Sequence, residues 1–209
     1  RAAPYVTADG QVTRALVDYA GRADALASVA GVTHAAPLVT GQVMATANGE
    51  NAGVEVHGIA ATDLQELPAI ANPDRARGSL ADFEAGIAIG SGVAQILGVD
   101  VGDRLRLISP KGVKGPFGTS PRVKAYPVTY IFSAGRWDID RIRVYLPFAE
   151  AQSFFNKEGV ADQVDVMVMD PEAVDAMALD LLTAGGEGVS LWSWRDASGN
   201  FLRALEIED

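Results

Sequence analysis

Apolar residues recur along this chain with two periods, and the switches between them mark the elements. Leu16, Val17, Ala20, Leu26 and Val29 stand at mostly helical spacing between Thr13 and Val29, and Gly31 follows as a stop, so one helix is predicted there. From Ala36 to Ile59 the period shortens to two. Val43, Ala45 and Ala47 alternate, Asn48-Gly49-Glu50-Asn51 supplies turn chemistry, and Val54, Val56 and Ile59 resume, which predicts a β-hairpin. Residues Ala61 to Phe83 carry short apolar groups between Pro68, Pro73 and Gly78 and read as helical turns and a surface crossing.

Gly86-Ile87-Ala88-Ile89-Gly90 reads as a buried strand, Ser91 to Leu97 as a short helix, and Gly98 to Asp103 as a turn. Leu105 and Leu107 then alternate with Arg104 and Arg106. A loop opens at Ser109-Pro110, and Tyr126 to Phe132 supplies another strand, with Ile142, Val144 and Leu146 alternating beyond. Pro147 begins a helix to Phe155, and Val164, Val166 and Val168 mark a further strand. Asp170-Pro171 is an N-cap with proline at the first helical position, and Val174, Met177, Ala178, Leu181 and Leu182 give the helix an apolar face. Trp194, Ala197, Phe201 and Leu205 form one stripe of a last helix, Trp194 to Asp209. Helices and strands mixed without strict alternation predict an α+β fold of two intimate subdomains, about 1–85 with the C-terminal helix and 86–190.

Composition agrees with a folded globule: 48% of the 209 residues are apolar and 21% charged. No run approaches a membrane span of about 18 apolar residues. The start at Arg1 without a secretory signal and the helix running to Asp209 predict a domain excised from a longer protein. Absent cysteine excludes disulfides and thiolate chemistry but leaves the compartment open. A net charge of -10 disfavours nucleic acid and anionic lipid as partners. That charge is unevenly spread, since nine of the seventeen basic residues lie between Arg104 and Arg143, opposed there only by Asp138 and Asp140.

Catalytic patterns are scarce. His34 and His57 lie in the predicted hairpin region without acidic or histidine neighbours at a zinc-ligand spacing, and read as partly exposed strand residues. Gly86, Gly90 and Gly92 match neither a dinucleotide fingerprint nor a Walker motif, so tight strand-to-helix packing accounts for them better. Ser91 lacks a nucleophile elbow. Asp138 and Asp140 would project from one side of a strand, as an acid and base pair does, yet Arg136, Arg141 and Arg143 bracket them as in a solvated charge pattern. Neither an enzyme nor a cofactor or metal site is expected.

The segment from Pro110 to Pro121 stands apart. Pro110 and Pro121 bracket it, Pro116 stiffens its middle, and Gly112, Gly115 and Gly118 allow sharp turns. Val113 and Phe117 are apolar groups in a stretch expected to be exposed, and Lys111, Lys114, Arg106, Arg122 and Lys124 surround them with positive charge. A stiff apolar tip in a basic collar suits docking of an acidic partner, because stiffness lowers the ordering cost and charge steers the encounter. An ordinary long hairpin loop with Phe117 folded back on the sheet is the other reading.

These blocks together resemble a known family. Gly86 to Gly90 with the helix to Leu97, Gly98 to Asp103, Pro116 to Lys124, and the ending Trp194-Arg195 with Asn200-Phe201 to Leu205 are similar in order and spacing to the LolC/LolE permeases of the lipoprotein-releasing ABC transporter. The likeness is close over the last two-thirds and looser over the first third. It implies a MacB-like periplasmic core with two subdomains and a protruding β-hairpin hook, lying between transmembrane helices 1 and 2 on the periplasmic side of the bacterial inner membrane. It also implies a non-catalytic domain. ATP would be hydrolysed by a separate cytoplasmic subunit, a second permease protomer would complete the membrane complex, and acylated lipoprotein cargo would pass to the periplasmic carrier LolA. By position the hook is Pro110 to Pro121, and a basic pad falls on Arg106 and Val123-Lys124 with Arg122 beside it. Val123 departs from the polar residue expected in a pad, and Lys111 to Gly115 is more glycine-rich and basic than the family pattern.

Two other functions remain open. A permease domain of the MacB or FtsX kind would share the fold but contact a different periplasmic partner and lack the hook. A small-molecule binding protein or enzyme would need convergent polar groups in a cleft, for which no nucleophile, metal cluster or cofactor loop is visible.

Overall fold

A computed structural model describes residues 1–6, 12–115 and 118–196. In chain order the elements begin with β1 (Tyr5–Val6), β2 (Val12–Thr13), α1 (Tyr19–Ala27), β3 (Val32–Ala47), β4 (Glu50–Ile59), α2 (Ala61–Gln65) and β5 (Ala76–Gly78). They continue with β6 (Ile87–Gly90), α3 (Ser91–Leu97), β7 (Arg104–Gly115), β8 (Gly118–Phe132) and α4 (Trp137–Asp140). The last are β9 (Arg143–Pro147), α5 (Phe148–Phe155), β10 (Gln163–Val168) and α6 (Ala178–Gly185). The mixture is α+β, as expected, and the chain forms two units. One holds Ala36–Ala161, the other Arg1–Ala35 with Asp162–Asp209.

In the central unit the strand pairings close on themselves. β3 pairs with β4, β4 with β9, β9 with β6, β6 with β8, β8 with β7 and β7 again with β3, while β5 flanks β8. Closure leaves these strands few free edges. The β3–β4 hairpin turns on Asn48 and Gly49, both at positive φ (52° and 84°), the pair of conformations a two-residue hairpin turn demands. The Asn48 amide also donates to the carbonyls of Leu97 and Gly98, which holds the end of α3 to the turn.

All six strands of the ring feed one apolar cluster, which fixes that face as the inside. Val43, Val54, Ile89, Leu107, Tyr126 and Val144 meet Val93 and Leu97 of α3 and Ala151 and Phe154 of α5. A second cluster covers part of the outside, where Leu38, Ile59, Tyr130, Phe132 and Tyr145 pack under Leu64 of α2, Ile70 and Phe83. The register of β6 on β8 shifts between Ile87 and Ala88, and this lets β8 send Tyr126 and Val128 inward but Tyr130 and Phe132 outward. Each fully buried Leu, Ile or Phe contributes about 1.5–3 kcal/mol.

In the terminal unit β1 pairs with β2, and β10 lies beside the start of β3, with Met169 N–H donating to Gly31 O and the Thr33 hydroxyl to Met167 O. The Arg22 guanidinium of α1 donates to the carbonyls of Gly185 and Glu187, where α6 ends. The Asp170 carboxylate accepts from Glu172 N–H, as its N-cap position predicts, but the following turn is a tight 3-10 helix at Pro171–Asp175 and α6 begins only at Ala178.

The units divide at Ala35 and Ala161 rather than near residue 85, because β3 and β4 belong to the same closed ring as β6, β8 and β9. Asp138 and Asp140 sit in the short helix α4, not on a strand. The C-terminal helix expected beyond Asp196 lies outside the described residues, as do Pro116 and Phe117 and the side chains of Lys111, Val113 and Lys114.

Candidate docking surface

The segment expected as a hook belongs to the antiparallel pair β7 and β8. Their ladder runs from Arg104 opposite Pro127 through Ser109 opposite Arg122, and after an irregularity from Val113 opposite Ser120 to Gly115 opposite Gly118. Pro110 and Pro121 lie in the irregular stretch, where a residue without an N–H costs the ladder least.

Strand alternation divides the expected basic pad between two faces. Directly opposed residues share a face, so Arg106 goes with Ala125, and Ile108 with Val123, on the outside of the ring. Leu107 goes with Lys124, and Ser109 with Arg122, on the inward face, where the hairpin meets α5. Arg106 and Arg104 are exposed on the outer face beside the half-exposed Val123.

Arg122 and Lys124 are engaged within the molecule. The Arg122 guanidinium donates to the carbonyls of Ser153 and Phe154 (3.1 Å) and to Asn156 Oδ1 (2.6 Å), so it caps the C-terminus of α5 and meets the negative end of its dipole. Lys124 Nζ lies 2.7 Å from Glu150 Oε1, which also accepts from the Tyr126 hydroxyl at 2.6 Å. Burial and that carboxylate push the Tyr126 phenol well above its ordinary range, so it acts here as a hydrogen-bond donor.

On the outer face lies an open groove that sequence inspection did not find. Met44, Gly53, Ile108, Pro110, Pro121 and Ile142 line it, with Gln42 and Glu55 as its polar wall. Met44 is opposite Gly53 in the β3–β4 ladder and opposite Ile108 in the β3–β7 contact, so three strands meet there. Met44 in mid-strand and Ile142 in the turn just before β9 keep 49% and 40% of their surface exposed, much for apolar residues. Met44 on the polar stripe of β3 was the available signal, yet only the pairing of β3 with β7 places it beside Ile108.

Past the groove, Glu55 is held by Arg143 at 3.2 Å and lies 3.4 Å from His57 Nε2, while Arg143 meets His57 Nδ1 at 3.0 Å and Tyr145 stands edge-on to the imidazole. His57 is therefore buried rather than partly exposed. No cluster of three metal-ligating side chains occurs among the described residues. Gly86, Gly90 and Gly92 serve close packing: a Cβ on them would come within 2.3 Å of Pro127 O, 2.3 Å of Asp140 O and 2.6 Å of Arg141 Cγ. The Asp140 carboxylate is buried and accepts from Ala134 N–H (2.7 Å) and the Ser133 hydroxyl (3.2 Å). Asp138 is ion-paired with Arg136, whose hydrogen bond holds its carboxyl below the usual range. The two acids thus have separate structural partners.

Among the described residues no helix is long and apolar enough to cross a membrane. The chain is similar to the transmembrane protein LolC of the lipoprotein-releasing system from Neisseria meningitidis serogroup B, with 25% identity over 85% of this chain and 44% of the relative. It is 28% identical to the LolC protein of Xylella fastidiosa over 62% of this chain and 31% of that protein. The chain thus spans less than half the length of these relatives. In fold it is similar to the periplasmic region of MacB from Actinobacillus actinomycetemcomitans (11% identity, 92% of this chain, 85% of that one, TM-score 0.54). It is also similar to the extracellular domain of the ABC-type transporter YknZ from Gram-positive bacteria (15% identity, 78% of this chain, 79% of that one, TM-score 0.50). The model of the MacB-like periplasmic core domain matches residues 3–184, and the chain belongs to that family.

Proposed function

We propose that this domain belongs to a lipoprotein-releasing permease of the inner membrane and recruits the periplasmic carrier LolA through the segment Pro110 to Pro121. The observation that carries this reading is the β7–β8 ladder, which extends to Gly115 opposite Gly118 within a chain similar to LolC proteins. Its role is mechanical rather than catalytic. The permease would pair with a second protomer and with a cytoplasmic ATPase, and ATP-driven motion would hand acylated lipoprotein to the docked carrier. Val113 and Phe117 would supply the apolar contact, with Lys111 and Lys114 steering an acidic surface. Of the pad, Arg106 is exposed for intermolecular contact, while Arg122 and Lys124 support the hairpin from α5.

Deleting residues 113–119 tests this. The reading expects a shortened domain with unchanged circular dichroism that no longer co-elutes with the carrier. Retained co-elution of a folded deletion variant would remove the hairpin from the function.

A further inference from the structure

Gly53 lies in the middle of β4, where a glycine weakens a strand, and a Cβ built on it meets nothing within 4 Å. The chain's own packing therefore does not require a glycine there. An interior strand glycine marks a bulge, a bend or a close approach by another group, and the unbroken register of β4 on β3 leaves no bulge at Gly53. Around it Met44, Ile108 and Ile142 present apolar surface in an open groove, rimmed by Pro110 and Pro121.

Charge narrows the occupant. Arg106 is opposite Thr46, two residues along from Met44 opposite Ile108, which places it about 7 Å along the strand from the groove, on the same face. Arg104 follows at the same spacing, and both are exposed. The carboxylate in the wall, Glu55, is met by Arg143, so it does not cancel them. A chain of net charge -10 thus offers a positive apolar patch. The polar wall of Gln42 and Glu55 suits a peptide better than a bare hydrocarbon.

We infer that this outer-face groove is a second docking site, which takes a protein segment with bulky apolar side chains over Gly53 and carboxylates against Arg104 and Arg106. It shares Arg106 and the flanking Pro110 and Pro121 with the surface proposed for the carrier, and goes beyond that surface in the groove of Met44, Gly53 and Ile142.

The test is a nuclear magnetic resonance titration of the labelled domain with a capped peptide of two phenylalanines flanked by aspartates. Controls replace the phenylalanines by serines, or the aspartates by lysines. The acidic apolar peptide should shift the amide signals of Met44, Gly53 and Ile108, and each control should bind at least tenfold more weakly. Gly53→Leu should fold normally and lose these shifts, and Met44→Glu provides a second variant by placing a repelling charge at an exposed position. Absence of shifts at millimolar peptide, equal binding of the lysine peptide, or shifts that persist in both folded variants would overturn the inference. So would self-association of the domain that Gly53→Leu abolishes, which would assign the face to a second copy.

Discussion

Two glycines of β4 face opposite environments. A Cβ on Gly58 would stand 2.1 Å from the Cβ of Ala151 on α5, so the helix can seat against the ring only if that position is bare. A Cβ on Gly53, five residues earlier on the other face, would touch nothing. The same residue type on one strand therefore answers to internal packing in one case and leaves open surface in the other. The outside of the ring repeats the contrast, since Leu64, Ile70 and Phe83 cover one part of it, and the part around Met44 is an open groove among the described residues.

The largest stability effect should come from the covered part. Phe83 is fully buried, and Phe83→Ala should cost about 3–5 kcal/mol, lowering the melting temperature by about 10 °C or more in thermal unfolding. Gly58→Ala comes next at about 2–3 kcal/mol, because α5 must move to admit the methyl group. Arg122→Ala should cost about 1–2 kcal/mol by denaturant titration, through loss of the charged cap on α5. If Arg122 were a docking residue without an internal role, that variant would keep its stability. Smallest of all, Gly53→Ala should change stability by less than about 0.5 kcal/mol or raise it, and a large loss there would erase the difference between the two glycines.

Much of this was legible from local signals. Asn48-Gly49 announced the β3–β4 turn, Pro147 the start of α5, and Gly86, Gly90 and Gly92 the close packing along β6 and the start of α3, because the glycines and turn residues are themselves the local signal. Ring closure was not legible, since β4 pairs in parallel with β9 across nearly ninety residues and no local pattern encodes that partner. The pad illustrates the same limit. Arg106, Arg122 and Lys124 form one basic group in sequence, but their faces depend on the register of β7 on β8, and their availability depends on Glu150 and the end of α5. His57 was misjudged for a related reason, as its burial depends on Arg143 and Tyr145 from a distant strand.

Calorimetric titration of this domain with the same organism's LolA carrier, at low and high salt and with Phe117→Glu alongside, tests the central claim most directly. The account predicts binding at about micromolar strength or tighter, weakened by salt and abolished in a folded Phe117→Glu variant. Absence of binding to a functional carrier, or binding that Phe117→Glu leaves intact, would contradict it.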